Sequence, residues 1–545
     1  MKTINGLVLK QMIISGANNL YNNYPEIDAL NVFPVPDGDT GTNMNLTISS
    51  GAKEVANRTD SDVYPIAKAF SKGLLMGARG NSGVILSQIF RGFSQALEDK
   101  KIIKPTDLAA AFMKGKEVAY KAVMRPVEGT ILTVIREAAE ALQEKVNDNM
   151  SIEKAFDILL KEARASLKRT SDLLPVLKEV GVVDSGAAGL IKILEGFESA
   201  IHGEVVEKKM ATVLEEKKVP MAVAIEGEEF SYCIEFVLVL GPKEGKKTFV
   251  EKRFTNILSS HGGLVRVKAR EDIVKVHVHT ETPGTILTYA QQFGEFKELK
   301  IENLSEGHTC LITDFDEPEE QEPEMKEYGI IAVSAGEGLD AMFKELNVDY
   351  IVSGGQTMNP STEDFVDAIN KVKAKKILIL PNNSNIVMAA AQACDVIEGD
   401  VQAQVVPSKS IPQGLVACMM FNPDASFSEN YEEMKRALKT VKSGQVTFSI
   451  KDTVIDDIEI KKDHFMGICD KKIICCLEDK MEAAYQLIES MIDDMTSIIT
   501  ILYGEDVTAE EADALVGKIN ENHDDIDVEL REGKQPVYSF IIGVE

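Results

Sequence analysis

The sequence predicts a multidomain chain: an all-α region, then a small α+β domain, then a two-lobed α/β region. Three observations support this prediction. The chain has 545 residues, and a single hydrophobic core stops growing at roughly 250–300 residues. The spacing of apolar residues changes near residue 220, from the three and four typical of helices to the two typical of strands. An acidic run with two prolines, at 313–327, then separates two apolar stretches.

The all-α domain is predicted over residues 1–205. Apolar residues recur there at helical spacing, and the predicted helices are 5–23, 42–57, 63–77, 82–98, 106–124, 128–147, 151–169 and 185–202. The stretch 204–218 is rich in Lys and Glu and breaks the periodicity. We therefore expect a linker at 204–218.

The small α+β domain is predicted over 218–312, and the α/β region over 328–545. In the first, FSYCIEFVLVLG, GLVRVKARE and IVKVHVHTE are typical of strands, and 285–293 is typical of a helix. Prolines and like charges make 313–327 an expected extended linker. Beyond it, strand-like runs alternate with helical ones and predict a parallel sheet with a crevice at its carboxyl edge. A second α/β lobe is expected from about residue 440.

Composition and charge exclude several classes of function. Lys and Arg total 59 against 87 Asp and Glu, a net charge of −28, so phosphate backbones of nucleic acids should be repelled. We therefore expect no nucleic acid partner. Seven cysteines without framework spacing indicate a reducing compartment. No apolar run approaches the ~18 residues of a transmembrane segment, so the sequence predicts a cytoplasmic protein.

The segment from Asn31 to Asn45, NVFPVPDGDTGTNMN, is the most informative one. Asp37 and Asp39 lie two residues apart in a turn rich in Pro and Gly, just before a predicted helix. Two carboxylates beside free helix amides form a site for Mg²⁺ and the phosphates that it bridges. An acidic turn that merely caps the helix is the alternative. An EF-hand is excluded, because Gly41 and Thr42 replace the required acidic residue and glycine.

Three further segments place small or hydroxyl residues at helix starts. GNSG supplies Gly80, Asn81, Ser82 and Gly83, which would let a phosphate approach the backbone and donate hydrogen bonds to it. A flexible connection between helices is the alternative. The other two segments contain Thr130 and the pair Asp184 and Gly186; considered singly, these residues are helix caps.

Cys233, His277 and His279 form a candidate metal site in the α+β domain. The two histidines are at positions i and i+2 of a predicted strand, so both side chains leave the same face. A cysteine on a neighbouring strand would complete a set of ligands suited to Zn²⁺. A hydrogen-bonded sheet surface without metal is the alternative.

The first 200 or so residues resemble the nucleotide-binding L subunit of dihydroxyacetone kinases, and GDTGTNM and GNSG are the specific matches. The resemblance implies an eight-helix barrel that holds ATP with two Mg²⁺ ions at one end. It implies Mg²⁺ on Asp37 and Asp39, phosphate contacts from Thr42, Asn43, Ser82 and Gly83, and nucleotide contacts near Thr130, Asp184 and Gly186. That family supplies a third aspartate upstream in this loop, where this chain has Asn31 and, further off, Asp28.

Over essentially its whole length the chain is similar to the ATP-binding subunit of bacterial fatty acid kinase. This resemblance implies that ATP phosphorylates a fatty acid carboxylate presented by a separate DegV-type protein, and that the product is an acyl phosphate. It also implies that Cys233, His277 and His279 bind metal and that the DegV-like region docks the partner. Kinases for dihydroxyacetone or a similar small hydroxyketone, a nucleotide-sensing scaffold without catalysis and a metal-dependent phosphatase are the alternatives. A homodimer is compatible with the sequence.

Overall fold

The computed structural model describes residues 1–31, 38–209, 232–240, 249–259, 263–270, 273–303, 325–355, 359–397, 399–449, 452–455, 458–470 and 472–545. The chain divides into two compact units. The first contains residues 1–210 together with 325–545, and the second contains residues 211–324. The two ends of the chain are therefore built into one unit. No helix in the described residues is both long enough and apolar enough to cross a membrane.

Nine helices fill the described part of residues 1–209. They are α1 (Gly6–Leu30), α2 (Thr40–Ala56), α3 (Val63–Met76), α4 (Gly80–Ala96), α5 (Pro105–Ala122), α6 (Ile131–Lys145), α7 (Ile152–Leu173), α8 (Pro175–Val180) and α9 (Ser185–Ile201). The eight predicted helices are all present. The short α8 was not predicted, since six residues are too few for a periodic pattern, and α1 continues through Pro25 to Leu30.

The helices surround an aromatic core. Neighbouring helices contact each other along the chain, and α9 returns to pack against α1. Each of the core phenylalanines is at most 3% exposed, and ring centroids of contacting pairs lie 5.0–6.5 Å apart. These residues are Phe70, Phe90, Phe93, Phe112, Phe156 and Phe197. Burying each such side chain contributes about 1.5–3 kcal/mol, so the cluster is a main source of stability for the helical part.

The start of the predicted linker 204–218 is not free. Ser15 Oγ accepts a hydrogen bond from the Val206 amide at 3.0 Å, and Asn18 Nδ2 donates to the Val206 carbonyl at 2.9 Å. Asn22 likewise binds the backbone of Glu207 and Lys209. Polar side chains of α1 therefore hold residues 204–209 against the helical part. The prediction was wrong for these six residues because charge content alone does not reveal such backbone partners.

The second unit contains a four-stranded antiparallel sheet. Its order is β2-β3-β1-β4, with β1 (Tyr232–Leu240), β2 (Gly263–Arg270), β3 (Ile273–Thr280) and β4 (Gly294–Asn303), and helices α10 (Glu251–Ser259) and α11 (Pro283–Ala290). The three predicted strands and the predicted helix are confirmed. Strand β4 and helix α10 were not predicted, because charged residues interrupt the apolar pattern of both.

A four-stranded parallel sheet begins the C-terminal part of the first unit. Its order is β6-β5-β7-β8, with β5 (Lys326–Ser334), β6 (Tyr350–Ser353), β7 (Ala374–Leu380) and β8 (Gln402–Val405), and helices α12 (Glu337–Glu345), α13 (Thr362–Val372), α14 (Val387–Val396) and α15 (Ile411–Met419). This confirms the predicted parallel sheet. Strand β5 already begins at Lys326, within the linker predicted at 313–327, because Lys326 pairs with Ala374 of β7.

The second lobe is a six-stranded mixed sheet in the order β13-β12-β9-β16-β14-β15, in which only β14 and β15 run parallel. The elements are α16 (Phe427–Ala437), β9 (Lys442–Phe448), β10 (Thr453–Ile455), β11 (Ile458–Ile460), β12 (Phe465–Cys469), β13 (Lys472–Leu477), α17 (Lys480–Met491), β14 (Ile498–Tyr503), α18 (Ala509–Asn522), β15 (Asp527–Glu532) and β16 (Tyr538–Val544). Strand β16 is buried along its whole length.

Candidate functional site

The first turn of α2 places a carboxylate pair at its amino end. Asp39 precedes the helix, and its Oδ2 accepts a hydrogen bond from Asn359 Nδ2 at 2.6 Å. Asp28, on the last turn of α1, accepts from the Thr42 amide at 3.0 Å and from Thr42 Oγ1 at 2.8 Å. Asp37, the partner predicted for Asp39, lies outside the described residues. The structure thus brings Asp28 to the same helix start as Asp39.

Burial raises the pKa of both carboxyl groups. For Asp39 the main cause is burial, which hydrogen bonds from Asn43 and Asn359 partly offset and the charge of Asp28 reinforces. For Asp28 burial again has the largest effect, and the hydrogen bonds from Thr42 oppose it. Neighbouring carboxylates that ionise at a cost are suited to a hard divalent cation, which would compensate the charge of both.

Asn31 has a different position from the one that the resemblance implied for a metal ligand. It caps the carboxyl end of α1, where its amide donates to the Asp28 carbonyl at 3.0 Å. The carboxylate on the α2 start belongs to Asp28, one helical turn earlier. Sequence reasoning noted Asp28 only as the more distant candidate, because it assumed that α1 ended at residue 23.

The GNSG segment forms the start of α4 against α2. Gly80 has a φ of +59°, and a methyl group there would lie 2.7 Å from Asn43 Nδ2. An L-residue would be strained in this conformation. Gly83 packs against Thr47, whose hydroxyl accepts from the Arg79 amide at 3.2 Å. The glycines of GNSG therefore allow the first turn of α4 to contact the first turns of α2.

The starts of α6 and α9 adjoin the start of α4. Asp184 caps α9 by accepting from the Ala187 amide at 2.7 Å, and it also accepts from the Ile131 amide at the start of α6. A methyl group on Gly186 would lie 3.4 Å from Ser82 Oγ. Burial raises the pKa of Asp184 to about 6. Thr130 caps α6 by accepting from the Leu132 amide at 3.3 Å, so both residues have the capping role that each suggests by itself.

Four helix starts therefore meet at one end of the helical part. Contacts of Gly80 with Asn43, and of Gly186 with Ser82, connect α2, α4 and α9, and Asp184 adds α6. Free amides and helix dipoles make a helix start positive, and such starts bind phosphate oxygens. The arrangement combines anion-binding backbone with carboxylates for a cation, which is the chemistry of a metal-nucleotide site.

Asn81 and Asn359 extend this site toward the C-terminal part. Asn81 Nδ2 contacts Asn385 Oδ1 at 3.4 Å, which places it at the joint between the two parts of the unit. Asn359 is only 2% exposed and binds Asp39. Sequence reasoning missed Asn359, because 320 residues separate it from Asp39.

The C-terminal part holds a cavity of about 510 Å³ at the carboxyl edge of its parallel sheet. The loops that follow three strands line it, with Ala335 after β5, Gly354 and Gly355 after β6, and Asn382 and Asn385 after β7. Ligand crevices of α/β sheets lie at this edge. The loops thus occupy the position that the strand pattern predicts.

The sheet of the second unit brings Cys233, His277 and His279 together. Cys233 of β1 pairs directly with His279 of β3, and the candidate ligand atoms of all three residues lie within 4.8 Å of one another. His277 Nδ1 is 4.0 Å from Cys233 Sγ and 3.0 Å from Glu235 Oε1. Zinc bond lengths require about 3.5 Å between such atoms in a tetrahedral site, so only small side-chain rotations are needed.

The donor chemistry of this cluster fits Zn²⁺. His279 Nε2 is buried and has no hydrogen-bond partner within the described residues. Burial and the neighbouring His277 lower the pKa of His279, which favours the neutral imidazole that binds metal. Glu235 holds the ring of His277 in the manner of an outer carboxylate in zinc sites. A plain hydrogen-bonded surface would not leave His279 Nε2 without a partner.

Comparisons with protein families assign all three regions. Residues 34–199 match the DAK2 domain. Residues 229–311 match the FakA-like middle domain of fatty acid kinases, and residues 329–545 match the corresponding FakA-like C-terminal domain.

Solved structures resemble separate regions of the chain. The dihydroxyacetone kinase of C. freundii in complex with AMP-PNP and Mg²⁺ covers 37% of this chain and 35% of its own, with 20% identity and a TM-score of 0.29. The Streptococcus pneumoniae fatty acid kinase B3 protein loaded with linoleic acid covers 40% of this chain and 99% of its own, with 14% identity and a TM-score of 0.28.

Two relatives match from end to end. Protein YloV of Bacillus subtilis (strain 168) is 47% identical over 555 residues, with 100% of both chains covered. An uncharacterized protein of Staphylococcus aureus (strain MRSA252) is 45% identical over 548 residues, with 99% of both chains covered. Together with the family models, these full-length matches show that the chain belongs to the FakA-like family of fatty acid kinase proteins.

Proposed function

We propose that this chain uses ATP to phosphorylate the carboxylate of a fatty acid presented by a separate DegV-type fatty-acid-binding protein, giving an acyl phosphate and ADP. The observation that supports the proposal most is the meeting of four helix starts beside Asp28 and Asp39. Membership of the FakA-like family supports the acceptor. The eight-helix barrel implied by the resemblance belongs to the same proposal.

In this proposal Asp39 and Asp37 hold Mg²⁺, with Asp28 as the third carboxylate. Bound Mg²⁺ would neutralise charge on the β- and γ-phosphate oxygens. The chain itself would hold the triphosphate through amides at the four helix starts. The residues concerned are Thr42, Asn43, Gly80, Asn81, Ser82, Gly83, Thr130, Asp184 and Gly186. Positioning and charge stabilisation are the main contributions that a protein makes to phosphoryl transfer.

The transfer step needs no general base. A carboxylate oxygen of the fatty acid attacks the γ-phosphorus, and the bond from that phosphorus to the bridging β,γ-oxygen breaks. ADP leaves with the electron pair of this bond. Because a carboxylate is already ionised at pH 7, no proton has to be removed from the acceptor.

The second unit would hold Zn²⁺ on Cys233, His277 and His279, with Glu235 fixing the ring of His277. Such an ion can act as a structural clamp or as a Lewis acid. We assign the C-terminal part to docking of the carrier protein. The cavity at its sheet edge is a candidate contact region for that role.

The decisive experiment measures phosphate transfer from ATP to oleate loaded on a DegV-type carrier. We expect Asp39→Ala to lose at least 100-fold in turnover, as expected when charge stabilisation of the transferred group is removed. Asp157→Ala, an exposed aspartate on α7, is the matched control and should be unchanged. Full turnover of a folded Asp39→Ala variant would contradict the assignment of the site.

The DAK2 match favours one alternative, a kinase for dihydroxyacetone or a similar small hydroxyketone. Consumption of ATP with free dihydroxyacetone and no carrier protein would support that alternative. A non-catalytic scaffold would instead bind ATP in calorimetry without transferring phosphate to any loaded carrier. The oleate assay distinguishes all three.

A further inference from the structure

The loop before GNSG is paired with the C-terminal part of the unit. Arg79 and Ser361 form an isolated antiparallel bridge, and the Thr362 amide donates to the Ala78 carbonyl at 3.2 Å. The guanidinium of Arg79 donates to the Asn359 carbonyl at 2.7 Å and lies 3.6 Å from Asp364. Residues 78–79 and 359–362 therefore form a short two-stranded clamp directly before the start of α4.

A buried polar group stabilises the same joint behind the clamp. Gln392 of α14 accepts from Gln88 Nε2 at 2.6 Å and donates to the Leu75 carbonyl at 2.8 Å and to Thr362 Oγ1 at 3.0 Å. Gln392 is 4% exposed. Ala78 and Val84 are members of the apolar core of the parallel sheet. The joint is thus a packed interior and not a surface contact between independent domains.

Asn359 extends from this joint to the carboxylate of Asp39. Its Nδ2 donates to Asp39 Oδ2 at 2.6 Å. Its Oδ1 is buried and accepts no hydrogen bond within the described residues. Asn43 binds Asp39 as well, so amides from two distant parts of the chain converge on one carboxylate. A donor that holds a ligating carboxylate fixes its orientation, and loss of such partners costs metal sites about 10- to 100-fold in affinity.

We infer that Asn359 is a positioning residue of the nucleotide-metal site, and that the C-terminal part is a structural component of that site in addition to its role in docking. The inference rests on the proposed function. Asn359 Nδ2 orients Asp39 so that its other oxygen faces the cation, while the clamp at Arg79 fixes the first turn of α4. The C-terminal region thereby contributes directly to cation binding.

The test measures binding of a fluorescent ATP analogue to the full chain, with and without Mg²⁺, in the absence of any acyl acceptor. Asn359→Leu keeps the approximate volume and removes the amide. We expect its Mg²⁺-dependent affinity to fall about 10- to 100-fold, while its weak affinity without Mg²⁺ stays unchanged. A residue with only a packing role would lower both affinities together.

Gln392→Ala is the control, because it weakens the same joint without removing a partner of Asp39. The inference requires that Gln392→Ala keep its Mg²⁺ dependence even where its melting temperature falls as far as that of Asn359→Leu. Unchanged Mg²⁺ dependence in Asn359→Leu, or an equal loss in both variants, would overturn it. If the native chain binds no nucleotide at any Mg²⁺ concentration, the proposed function itself fails.

Discussion

Asp184→Asn tests the electrostatics of the site without any ligand. Asp184 caps α9 from a partly buried position, and burial raises the pKa of its carboxyl group from 3.8 to about 6. Because the folded chain binds this proton more tightly than the unfolded chain, the proton stabilises the fold at low pH. That contribution is complete below about pH 3.8 and is lost as the pH rises through about 6.

The magnitude follows from the two pKa values. The full shift corresponds to about 3 kcal/mol at 1.36 kcal/mol per pKa unit. Between pH 5 and pH 8 the linkage relation leaves about 1.4 kcal/mol of this, and partial exposure of the side chain reduces it to about 1 kcal/mol. Asparagine is an equally good cap and does not titrate. The variant should therefore gain about 1 kcal/mol on the native chain over this range.

Thermal unfolding followed by circular dichroism in Mg²⁺-free buffer provides the assay. A change of 1 kcal/mol moves the melting temperature of a large unit by about 2 °C, so the difference between variant and native should shift by about that amount from pH 5 to pH 8. Asp479→Asn, at the exposed cap of α17, controls for the exchange of a capping group. A difference that is independent of pH, or one that shifts toward the native chain, would refute the reasoning.

Three further predictions follow from the same structure. Gly196→Ala should destabilise the helical part by at least 1–3 kcal/mol, since a methyl group there would lie 2.5 Å from the Ser15 carbonyl, whereas Gly517→Ala, with open space around it, should stabilise α18 by up to about 1 kcal/mol; urea unfolding of both variants decides this. Elemental analysis should find one zinc per native chain and none in His279→Ala, and equal zinc in both would exclude the site. Mg²⁺ should raise the melting temperature more at pH 8 than at pH 5, because burial raises the pKa of Asp28 and Asp39 and protons compete with the cation at low pH; a larger effect at pH 5 would contradict this.

The helical region and the parallel sheet could be predicted because their periodic patterns are long. The eight predicted helices bury a continuous apolar face, and strands β5 to β8 each end in small polar residues. The elements that were missed carry charges within the pattern, as in β4 and α10, or are very short, as in α8. The backbone partners of residues 204–209 come from asparagines of α1, and the local composition does not reveal them.

The site could be predicted only where its residues lie in one segment or repeat a recognisable motif. Thr42, Asn43 and GNSG are found from the sequence because glycines and hydroxyls at helix starts have a local meaning. Asp28 was underrated because its role depends on where α1 ends. Asn359 has no local signal, since its contact with Asp39 arises from the packing of two parts of the chain that are distant in sequence.

The most direct test of the nucleotide-metal site is a crystal structure of the full chain with a non-hydrolysable ATP analogue and Mn²⁺ in place of Mg²⁺. Anomalous scattering should place manganese against the carboxylate of Asp39, with the triphosphate on the first turns of α2, α4 and α9. Manganese and triphosphate bound elsewhere, with Asp39 still paired only to Asn359, would contradict the account.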